Sequence, residues 1–463
     1  MSIKLWPYQT ELVDQVRQHF LSGEKKVLLQ APTGSGKTAI MANMAKTAES
    51  QGMTTWFIVH RRELIKQSLL AFANEGIDAG VVCSGWPIKW GAKTQICSVG
   101  SLGSRASRLR RPNLICLDEV HHICASSWTK IYKTYEDVFM IGLTATPERL
   151  DGRGLGDYFK KMVLGPSVTS LIDQGYLSPY KLYAPPGISL TGVRTKMGDY
   201  VKSDLNQAVD KPLITGDAIK EYLKLASGKR AVVFCSSIQH SLHVVEQFNL
   251  SGIGAEHVDG ETSIKDRDSA IQRFSRGETK VLSNVDLFGE GFDLPAIECA
   301  ILLRPTKSLG LYLQQVGRVL RIYPGKDAAL ILDHAGNCER HGLPDEERQW
   351  SLDGHLHRSR GSVNEVRIKV CPKCFAAQKV GSVSCSYCGY AYPITAQKIT
   401  EVAGDLTEVD VARVKRNKAW EESQAKTLED WERLGESRGY ARWKQWALIQ
   451  WNLRHGNVLN RRG

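Results

Sequence analysis

The chain has 463 residues, of which 42% are hydrophobic and 24% charged, a balance that is ordinary for a soluble globular protein. Its length predicts about three domains, and the lack of any apolar stretch near ~18 residues excludes a transmembrane helix. The net charge of +12 favours polyanionic partners through counterion release, although many basic proteins carry only solvated lysines.

The first informative element is residues 31–38, Ala-Pro-Thr-Gly-Ser-Gly-Lys-Thr. The apolar run Val27–Gln30 predicts a buried strand before it, and Ala39–Ala48 predicts a helix after it. Glycines in such a loop let the backbone turn tightly and point N–H groups at phosphate oxygens. The helix N-terminus adds a partial positive charge. We expect Lys37 to reach the β- and γ-phosphates and the Thr38 hydroxyl to hold Mg²⁺. The other residues of the loop expected to bind the nucleotide are Thr33, Gly34, Ser35 and Gly36.

A pair of carboxylates, Asp118 and Glu119, ends the apolar run Leu114–Leu117. In an α/β sheet the carboxyl ends of the strands form the ligand crevice. We therefore expect Asp118 to hold Mg²⁺ and Glu119 to orient and deprotonate the attacking water. The alternative is a surface acidic pair that starts a loop, which the upstream phosphate loop disfavours. Together the two elements predict hydrolysis of a nucleoside triphosphate.

Apolar runs alternate with helical patterns from residue 1 to about 165 and again from about 205 to 340. This rhythm is typical of a parallel sheet covered by helices. Between the two regions, Ser178–Lys202 is rich in Pro, Gly and Thr and predicts an irregular linker. The polar segment His341–Asn364 predicts a second connector. The other predicted strands are Trp56–Val59, Met140–Thr144, Ala231–Phe234, Lys280–Ser283, Ala300–Leu303 and Ala329–Leu332.

Two cysteine pairs follow, Cys371 with Cys374 and Cys385 with Cys388. Four thiolates suit tetrahedral Zn²⁺ at ~2.3 Å per bond, and Gly389 permits the tight turn after the second pair. A redox-active pair is the alternative, disfavoured because the motif occurs twice. A ribbon of ~25 residues cannot build its own core, so metal binding would supply its folding free energy, on the order of 10 kcal/mol.

The ribbon and the C-terminal tail each have two open interpretations. Lysines and aromatic residues around the cysteines can bind nucleic acid, or the ribbon can be a structural clasp or protein-docking module. The tail carries five of the chain's 11 tryptophans with arginines and lysines between them. It is either a helical element that binds nucleic acid or a helical hairpin that packs its aromatic residues internally. These tryptophans are Trp420, Trp431, Trp443, Trp446 and Trp451.

In chain order, the motifs resemble those of the superfamily 2 helicases over residues 1 to about 340. Residues 31–38 match a helicase variant of the phosphate loop with Ala31 in place of glycine, and residues 118–121 match a DExH motif. Within Leu302–Asn337 the resemblance is closer to RadD-type DNA-repair helicases. The other matching strings are Pro7–Gln9, His60–Leu64, Ser98–Leu102, Leu143–Pro147, Val233–Ser237, Asn284–Pro295 and Gln314–Arg321.

The resemblance implies a role for several further residues. Two RecA-like lobes would sandwich ATP, with Gln9 recognising adenine. Arg318 and Arg321 would act as arginine fingers from the second lobe, and a solvated basic helix face is the alternative for them. The resemblance further implies that Gln314 senses the γ-phosphate, that Asp293 touches the ribose or the lobe interface, and that Thr144 and Thr146 couple the nucleotide to the lobe junction.

The predicted fold is therefore α/β, with two tandem RecA-like parallel-sheet lobes, a small zinc ribbon and a helical tail. We assign residues 1–165 to the ATP-binding lobe and 166–204 to a linker. Residues 205–345 form the second lobe, 366–395 the zinc ribbon and 396–463 the basic, tryptophan-rich tail.

The predicted function is an ATP-dependent DNA helicase or translocase acting in repair, recombination or replication, with ATP, Mg²⁺ and Zn²⁺ as cofactors. Single-stranded or forked DNA is the expected partner, with repair or replication proteins on the ribbon or tail and no membrane. An RNA helicase and a nucleotide-switched DNA-binding recruitment protein are the alternatives. The length, the ATP site and the lack of a signal peptide favour reduced cysteines and a cytoplasmic location.

Overall fold

The computed structural model describes residues 4–123, 125–149, 153–184, 195–196, 199–200, 212–287, 297–353, 368–379, 383–392, 420–438 and 443–454. The chain divides into two compact units, Met1–Pro393 and Ile394–Gly463.

The first lobe is built on a seven-stranded sheet in the order β3-β4-β2-β5-β6-β1-β7. Every neighbouring pair of its strands is parallel. The strands are β1 (Lys26–Gln30), β2 (Thr55–Val59), β3 (Gly80–Val82), β4 (Thr94–Ser98), β5 (Leu114–Leu117), β6 (Phe139–Thr144) and β7 (Lys161–Leu164). The helices are α1 (Pro7–Leu21), α2 (Lys37–Ser50), α3 (Glu63–Asn74), α4 (Val99–Leu102), α5 (Ser126–Thr134) and α6 (Val168–Asp173).

Both faces of this sheet are buried, which explains why its central strands are continuous apolar runs. Successive side chains of a strand point to opposite faces. Accordingly, Val27 and Leu29 belong to one hydrophobic cluster, whereas Leu28 belongs to the other, with Trp56 and Ile58. The sheet thus holds the ends of its strands, where the candidate site lies, in a rigid frame.

The second lobe is built on a six-stranded parallel sheet in the order β12-β13-β11-β14-β15-β8. The strands are β8 (Tyr180–Tyr183), β11 (Ala231–Phe234), β12 (Ala255–Val258), β13 (Val281–Asn284), β14 (Cys299–Leu302) and β15 (Ala329–Asp333), with a separate antiparallel hairpin of β9 (Thr195–Lys196) and β10 (Asp199–Tyr200). The helices are α7 (Pro212–Leu225), α8 (Ile238–Leu250), α9 (Ile264–Arg276), α10 (Leu309–Val319) and α11 (Asn337–His341).

These sheets confirm the predicted fold class, and every predicted strand lies within one residue of an observed one. The prediction of an irregular linker over Ser178–Lys202 differs from the structure, because β8 lies there and forms an edge of the second sheet. Pro179 and Pro185 flank this strand. Prolines are compatible with an edge strand but look like loop signals in a sequence.

The ribbon comprises β16 (Ile368–Val370), β17 (Ala377–Lys379) and the two cysteine pairs. It continues the edge of the second sheet, because Tyr183 forms a β-bridge with Ala376 and the Ala184 N–H donates to the Phe375 carbonyl at 3.0 Å. The ribbon is thus anchored on β8, the edge strand of the second sheet.

Within the described residues of the second unit lie the helices α12 (Leu428–Ser437) and α13 (Trp443–Arg454). They pack through Trp431 and Trp446, whose ring centroids are 5.6 Å apart. Trp431 is only 1% exposed. The predicted helical tail is confirmed for these residues. Over the described part of the whole chain, no helix has the length and apolarity needed to cross a membrane.

Candidate nucleotide-binding site

The phosphate loop connects the carboxyl end of β1 to the N-terminus of α2. Gly34 and Gly36 have φ angles of 90° and 76°, a region that side chains with a Cβ rarely adopt. A Cβ on Gly36 would also lie 2.4 Å from Nε2 of Gln9, which is too close for any side chain. Both φ angles therefore favour glycine, and strand, loop and helix follow one another in the predicted order.

Lys37 opens α2, and its ammonium group lies over the loop. Its Nζ donates to the carbonyls of Ala31 at 3.0 Å and Pro32 at 3.3 Å. Burial lowers the pKa of Lys37, while the charges of Glu119 and Asp118 act in the opposite direction. The lysine is thus a buried cation within electrostatic reach of both predicted carboxylates.

The acidic pair follows β5, as the sequence predicts. Glu119 has a left-handed backbone, with φ 47°, and its N–H donates to Oδ1 of Asp118 at 3.1 Å. Burial, and then the neighbouring charge of Glu119, raise the pKa of Asp118 to about 6, against the opposing effects of Lys37 and His60. A strained turn that holds two buried carboxylates is a common feature of functional sites. Together with the Thr38 hydroxyl, the Asp118 carboxylate provides the oxygen donors that a hard cation such as Mg²⁺ prefers.

A chain of polar contacts leads from the acidic pair to β6. His121 Nδ1 lies 3.5 Å from Glu119 Oε2 and 3.2 Å from Thr144 Oγ1. The Thr144 hydroxyl donates to the carbonyl of Thr146 at 2.8 Å. A Cβ on Gly310, at the start of α10, would lie 3.0 Å from Thr146 Oγ1. The predicted coupling residues Thr144 and Thr146 therefore join the acidic pair to the surface of the second lobe.

Helix α10 of the second lobe packs directly on the phosphate loop. A Cβ on Gly317 would lie 2.5 Å from Cβ of Thr33, so only glycine allows the two backbones to approach this closely. Arg318 is 5% exposed, and a Cβ on Gly34 would be 3.5 Å from Cγ of Arg321. The two lobes thus share one cleft with the loop on one side and α10 on the other.

Two arginines of the second lobe face the loop lysine. Both Arg318 and Arg321 depress the pKa of Lys37, after the larger effects of burial and the carboxylates. Burial lowers the pKa of Arg321 to about 10. Gln314 lies on the same helix and is also buried. The alternative of a solvated basic helix face does not fit the buried Arg318, and Arg321 is half-buried just beyond the end of α10. Asp293 lies outside the described residues.

Gln9 is placed beside the loop, but its amide group bonds to the protein. Its Nε2 donates to the carbonyl of Ser35 at 2.9 Å, and its Oε1 accepts from the Trp6 N–H at 2.9 Å. The Tyr8 hydroxyl donates to the same Ser35 carbonyl at 2.8 Å. Gln9 therefore positions the phosphate loop, and recognition of adenine by Gln9 stays a prediction.

An aromatic cluster beside Gln9 was not predicted from the sequence. The ring of Tyr176 lies 4.7 Å from that of Trp6 and 5.1 Å from that of Tyr8, measured between centroids. Such a cluster offers apolar surface at the edge of the loop. Trp6 directly precedes the string Pro7–Gln9, but no spacing or motif in the sequence links it to Tyr176.

The four ribbon cysteines converge, as predicted. All four Sγ atoms lie within 4.8 Å of one another. The Sγ atoms of Cys371 and Cys388 are 3.7 Å apart, and those of Cys374 and Cys385 are 3.6 Å apart. A tetrahedron with bonds of ~2.3 Å has edges of about 3.8 Å, so the donor set fits Zn²⁺. After each pair the backbone turns through a positive φ, 58° at Phe375 and 69° at Gly389.

The described arginines of the tail contact other residues of the tail. In the tail, Arg438 pairs with Glu421 and Glu422 at 2.8 and 2.7 Å. The Arg454 guanidinium lies 5.1 Å from the Trp431 ring centroid. The geometry of the tail therefore favours internal packing of its aromatic and basic residues.

Comparison with known proteins identifies two families along the chain. Residues 2–149 match the family described as "Type III restriction enzyme, res subunit", and residues 215–323 match "Helicase conserved C-terminal domain". These ranges lie within the first and the second lobe, respectively.

Several relatives cover both lobes. A 51.5 kDa protein of a Lactococcus phage (isolate 7-9) is 38% identical over 79% of this chain and 78% of its own length. A Saccharomyces cerevisiae protein assigned as the ATP-dependent helicase IRC3 is 30% identical over 71% of this chain, which spans about half, 51%, of that relative. The DNA 3′-5′ translocase XPB2 of Sulfurisphaera tokodaii is 25% identical, over 71% of this chain and 81% of its own.

Among solved structures, a Vibrio vulnificus fragment assigned to the HsdR subunit of a type I restriction enzyme superposes with a TM-score of 0.58. The match has 23% sequence identity and covers 73% of this chain and 67% of the other. At this identity the likeness concerns the fold alone.

Proposed function

Since the chain belongs to the superfamily 2 helicases, which hydrolyse ATP, we propose that it couples ATP hydrolysis to movement along DNA or to its unwinding. The observation that carries the proposal is the direct packing of α10 against the phosphate loop. A nucleotide bound between these elements would interact differently with the closed and the open lobes. Only such a difference lets a ligand shift a conformational equilibrium.

In this proposal the first lobe binds the triphosphate and activates water. Lys37 neutralises the β- and γ-phosphates, and Thr38 and Asp118 would hold Mg²⁺, which neutralises charge on the phosphates when bound. Glu119 accepts the proton of the attacking water, and His121 holds this carboxylate in place from 3.5 Å.

The second lobe completes the reaction site. Arg318 and Arg321 stabilise the charge that develops on the transferred phosphoryl group, and Gln314 orients the γ-phosphate or its water. Since Gln314 and Arg318 lie on α10 and Arg321 follows just after it, turnover requires closed lobes, and loss of the γ-phosphate removes the ligand that joins them. This dependence is how hydrolysis would drive a stepwise motion on a bound strand.

Zinc has a structural role in this proposal. The four thiolates would hold Zn²⁺, and the metal would fix the two turns of the ribbon against β8. The main-chain bonds of this ribbon to Tyr183 and Ala184 support a clasp on the second lobe, in preference to a separate redox centre.

DNA is the nucleic acid that this proposal favours, because the related XPB2 is named a DNA translocase. The RadD-type resemblance of Leu302–Asn337 favours a place in DNA repair, recombination or replication. ATPase activity should be measured with single-stranded DNA, forked DNA, duplex DNA and RNA at two salt concentrations. We expect single-stranded or forked DNA to stimulate turnover most, and stimulation by RNA alone would contradict the proposal.

Strand displacement on the forked substrate should be followed in the same samples. The proposal predicts displacement, or at least the removal of a protein block from the DNA, that depends on ATP. DNA-stimulated turnover with neither effect would instead favour a nucleotide-switched recruitment protein.

A further inference from the structure

The segment after β2 contains two adjacent arginines with different surroundings. Arg62 is exposed and its guanidinium donates to the Ser84 carbonyl at 2.9 Å, within the first lobe. Arg61 instead reaches the second lobe, where its NH1 group donates to the carbonyl of Asp286 at 2.7 Å. The structure separates them, because only Arg61 joins the lobes at this point.

The backbone that Arg61 binds has an unusual conformation. Asp286, two residues after the end of β13, has a φ of 54°, in the left-handed region. Its carboxylate forms an ion pair with Arg304, which is 12% exposed on its side chain. A non-glycine residue in this region is strained and persists only where its surroundings hold it there. Arg61 and Arg304 therefore fix the position of the Asp286 carbonyl.

From Arg61, a row of three imidazole rings, tilted by about 40° to one another, leads back to the acidic pair. The Arg61 Nε group donates to Nε2 of His60 at 3.1 Å. The His60 ring lies 5.0 Å from the His122 ring, and the His122 ring lies 4.3 Å from the His121 ring, measured between centroids. His121 contacts Glu119 at 3.5 Å. One continuous set of contacts thus links the second lobe to the carboxylate that activates water.

We propose that Arg61 is a positioning residue that transmits lobe closure to Glu119 through the His60, His122 and His121 rings. When the lobes close, the Asp286 carbonyl binds Arg61 and fixes the row of rings against Glu119. When they open, this anchor is lost. This inference rests on the proposed function, and it adds a second route beside the one through Thr144, Thr146 and Gly310.

The test compares Arg61→Ala with Arg62→Ala, its matched control. Steady-state ATPase kinetics should be measured with saturating single-stranded DNA, together with DNA affinity without nucleotide. For Arg61→Ala we expect kcat to fall about tenfold, within the usual range of coupling between sites, while the KM for ATP and the DNA Kd stay within about twofold. Arg62→Ala should keep the kcat of the wild type. An ordinary phosphate contact would instead weaken DNA binding and reduce its salt dependence.

Conservative variants distinguish positioning from general destabilisation. Arg61→Lys keeps the charge but lacks the planar group that binds His60 and Asp286 together, so it should not restore kcat. His122→Phe keeps a ring in the row and should retain most of kcat, whereas His122→Ala should lose about as much as Arg61→Ala. In the double variant of Arg61→Ala and His122→Ala, the loss should not exceed that of either single change.

Three results would overturn the inference: an unchanged kcat in Arg61→Ala, restoration of kcat by lysine, or additive losses in the double variant. A wild type without DNA-stimulated turnover would overturn the proposed function and this inference with it. If the wild type shows DNA-stimulated turnover and Arg61→Ala has the same kcat, this inference alone is overturned.

Discussion

Replacing Gly317 by alanine gives a direct test of the shared cleft. Helix propensity alone predicts that this change in α10 is stabilising, by up to ~1 kcal/mol. The structure nevertheless predicts a loss of activity, because the new Cβ would lie 2.5 Å from Cβ of Thr33. Carbon atoms in contact are normally separated by about 3.5–4.0 Å, so the two lobes would have to part by roughly 1 Å. A displacement of this size at a reacting centre can reduce the rate about 10²-fold.

Turnover of Gly317→Ala should be measured with saturating ATP and single-stranded DNA, with ATP affinity measured separately by fluorescence of a labelled analogue. We expect kcat to fall about 10²-fold and ATP affinity to change less than threefold, since the loop itself is unaltered. Gly103→Ala is the matched control, because Gly103 has helical dihedral angles and nothing within 4 Å of a new Cβ. A kcat within threefold of the wild type for Gly317→Ala would refute the proposed closeness of the lobes.

Further predictions concern the acidic pair, the ribbon and the tail. The Lys37→Ala variant should lose turnover and bind ATP more weakly. The Glu119→Gln variant should still bind ATP but hydrolyse it at least ~10²-fold more slowly. A wild-type ATPase rate in either variant would contradict the role of that residue. Burial, and then Glu119, raise the pKa of Asp118 to about 6 from its usual 3.8, so the folded state binds this proton more tightly and stability falls as pH rises through that window. In EDTA, Asp118→Asn should therefore have a higher Tm than the wild type above pH 6, with the gain shrinking toward pH 4, and a gain independent of pH would contradict this. Cys371→Ser should release zinc and lower the Tm of the second lobe as well, because the ribbon bonds to β8; a zinc-free protein with an unchanged Tm would refute the clasp. Truncation before residue 400 should leave DNA affinity and its salt dependence unchanged, since the described arginines of the tail contact its own residues; a smaller salt dependence would place the tail on the DNA.

The site elements that the sequence predicted are those defined by local spacing. The phosphate loop, the acidic pair and the cysteine pairs each consist of a few neighbouring residues whose chemistry requires a fixed order. Their strands are continuous apolar runs, because both faces of a parallel sheet are buried. These features can be found without knowing how the lobes are arranged.

What the sequence did not predict depends on residues far apart in the chain. The contact of Gly317 with Thr33 and that of Arg61 with Asp286 exist only when the two lobes are together. Tyr176 joins the cluster of Trp6 and Tyr8 through folding alone. Short or edge strands such as β7, β8 and β12 contain charged residues or lie beside prolines, so their sequences lack a continuous apolar run. The contact of Gln9 with Ser35 was missed for the same reason, since the two residues lie 26 positions apart.

The most direct test of the shared cleft is single-turnover ATP hydrolysis by the Arg318→Ala and Arg321→Ala variants in the presence of single-stranded DNA. These arginines lie on the second lobe, whereas the loop and the carboxylates lie on the first. We predict that each change slows hydrolysis about 10³-fold while ATP still binds to the first lobe. Hydrolysis at the wild-type rate in both variants would mean that the first lobe acts alone, and would contradict a site built from two lobes.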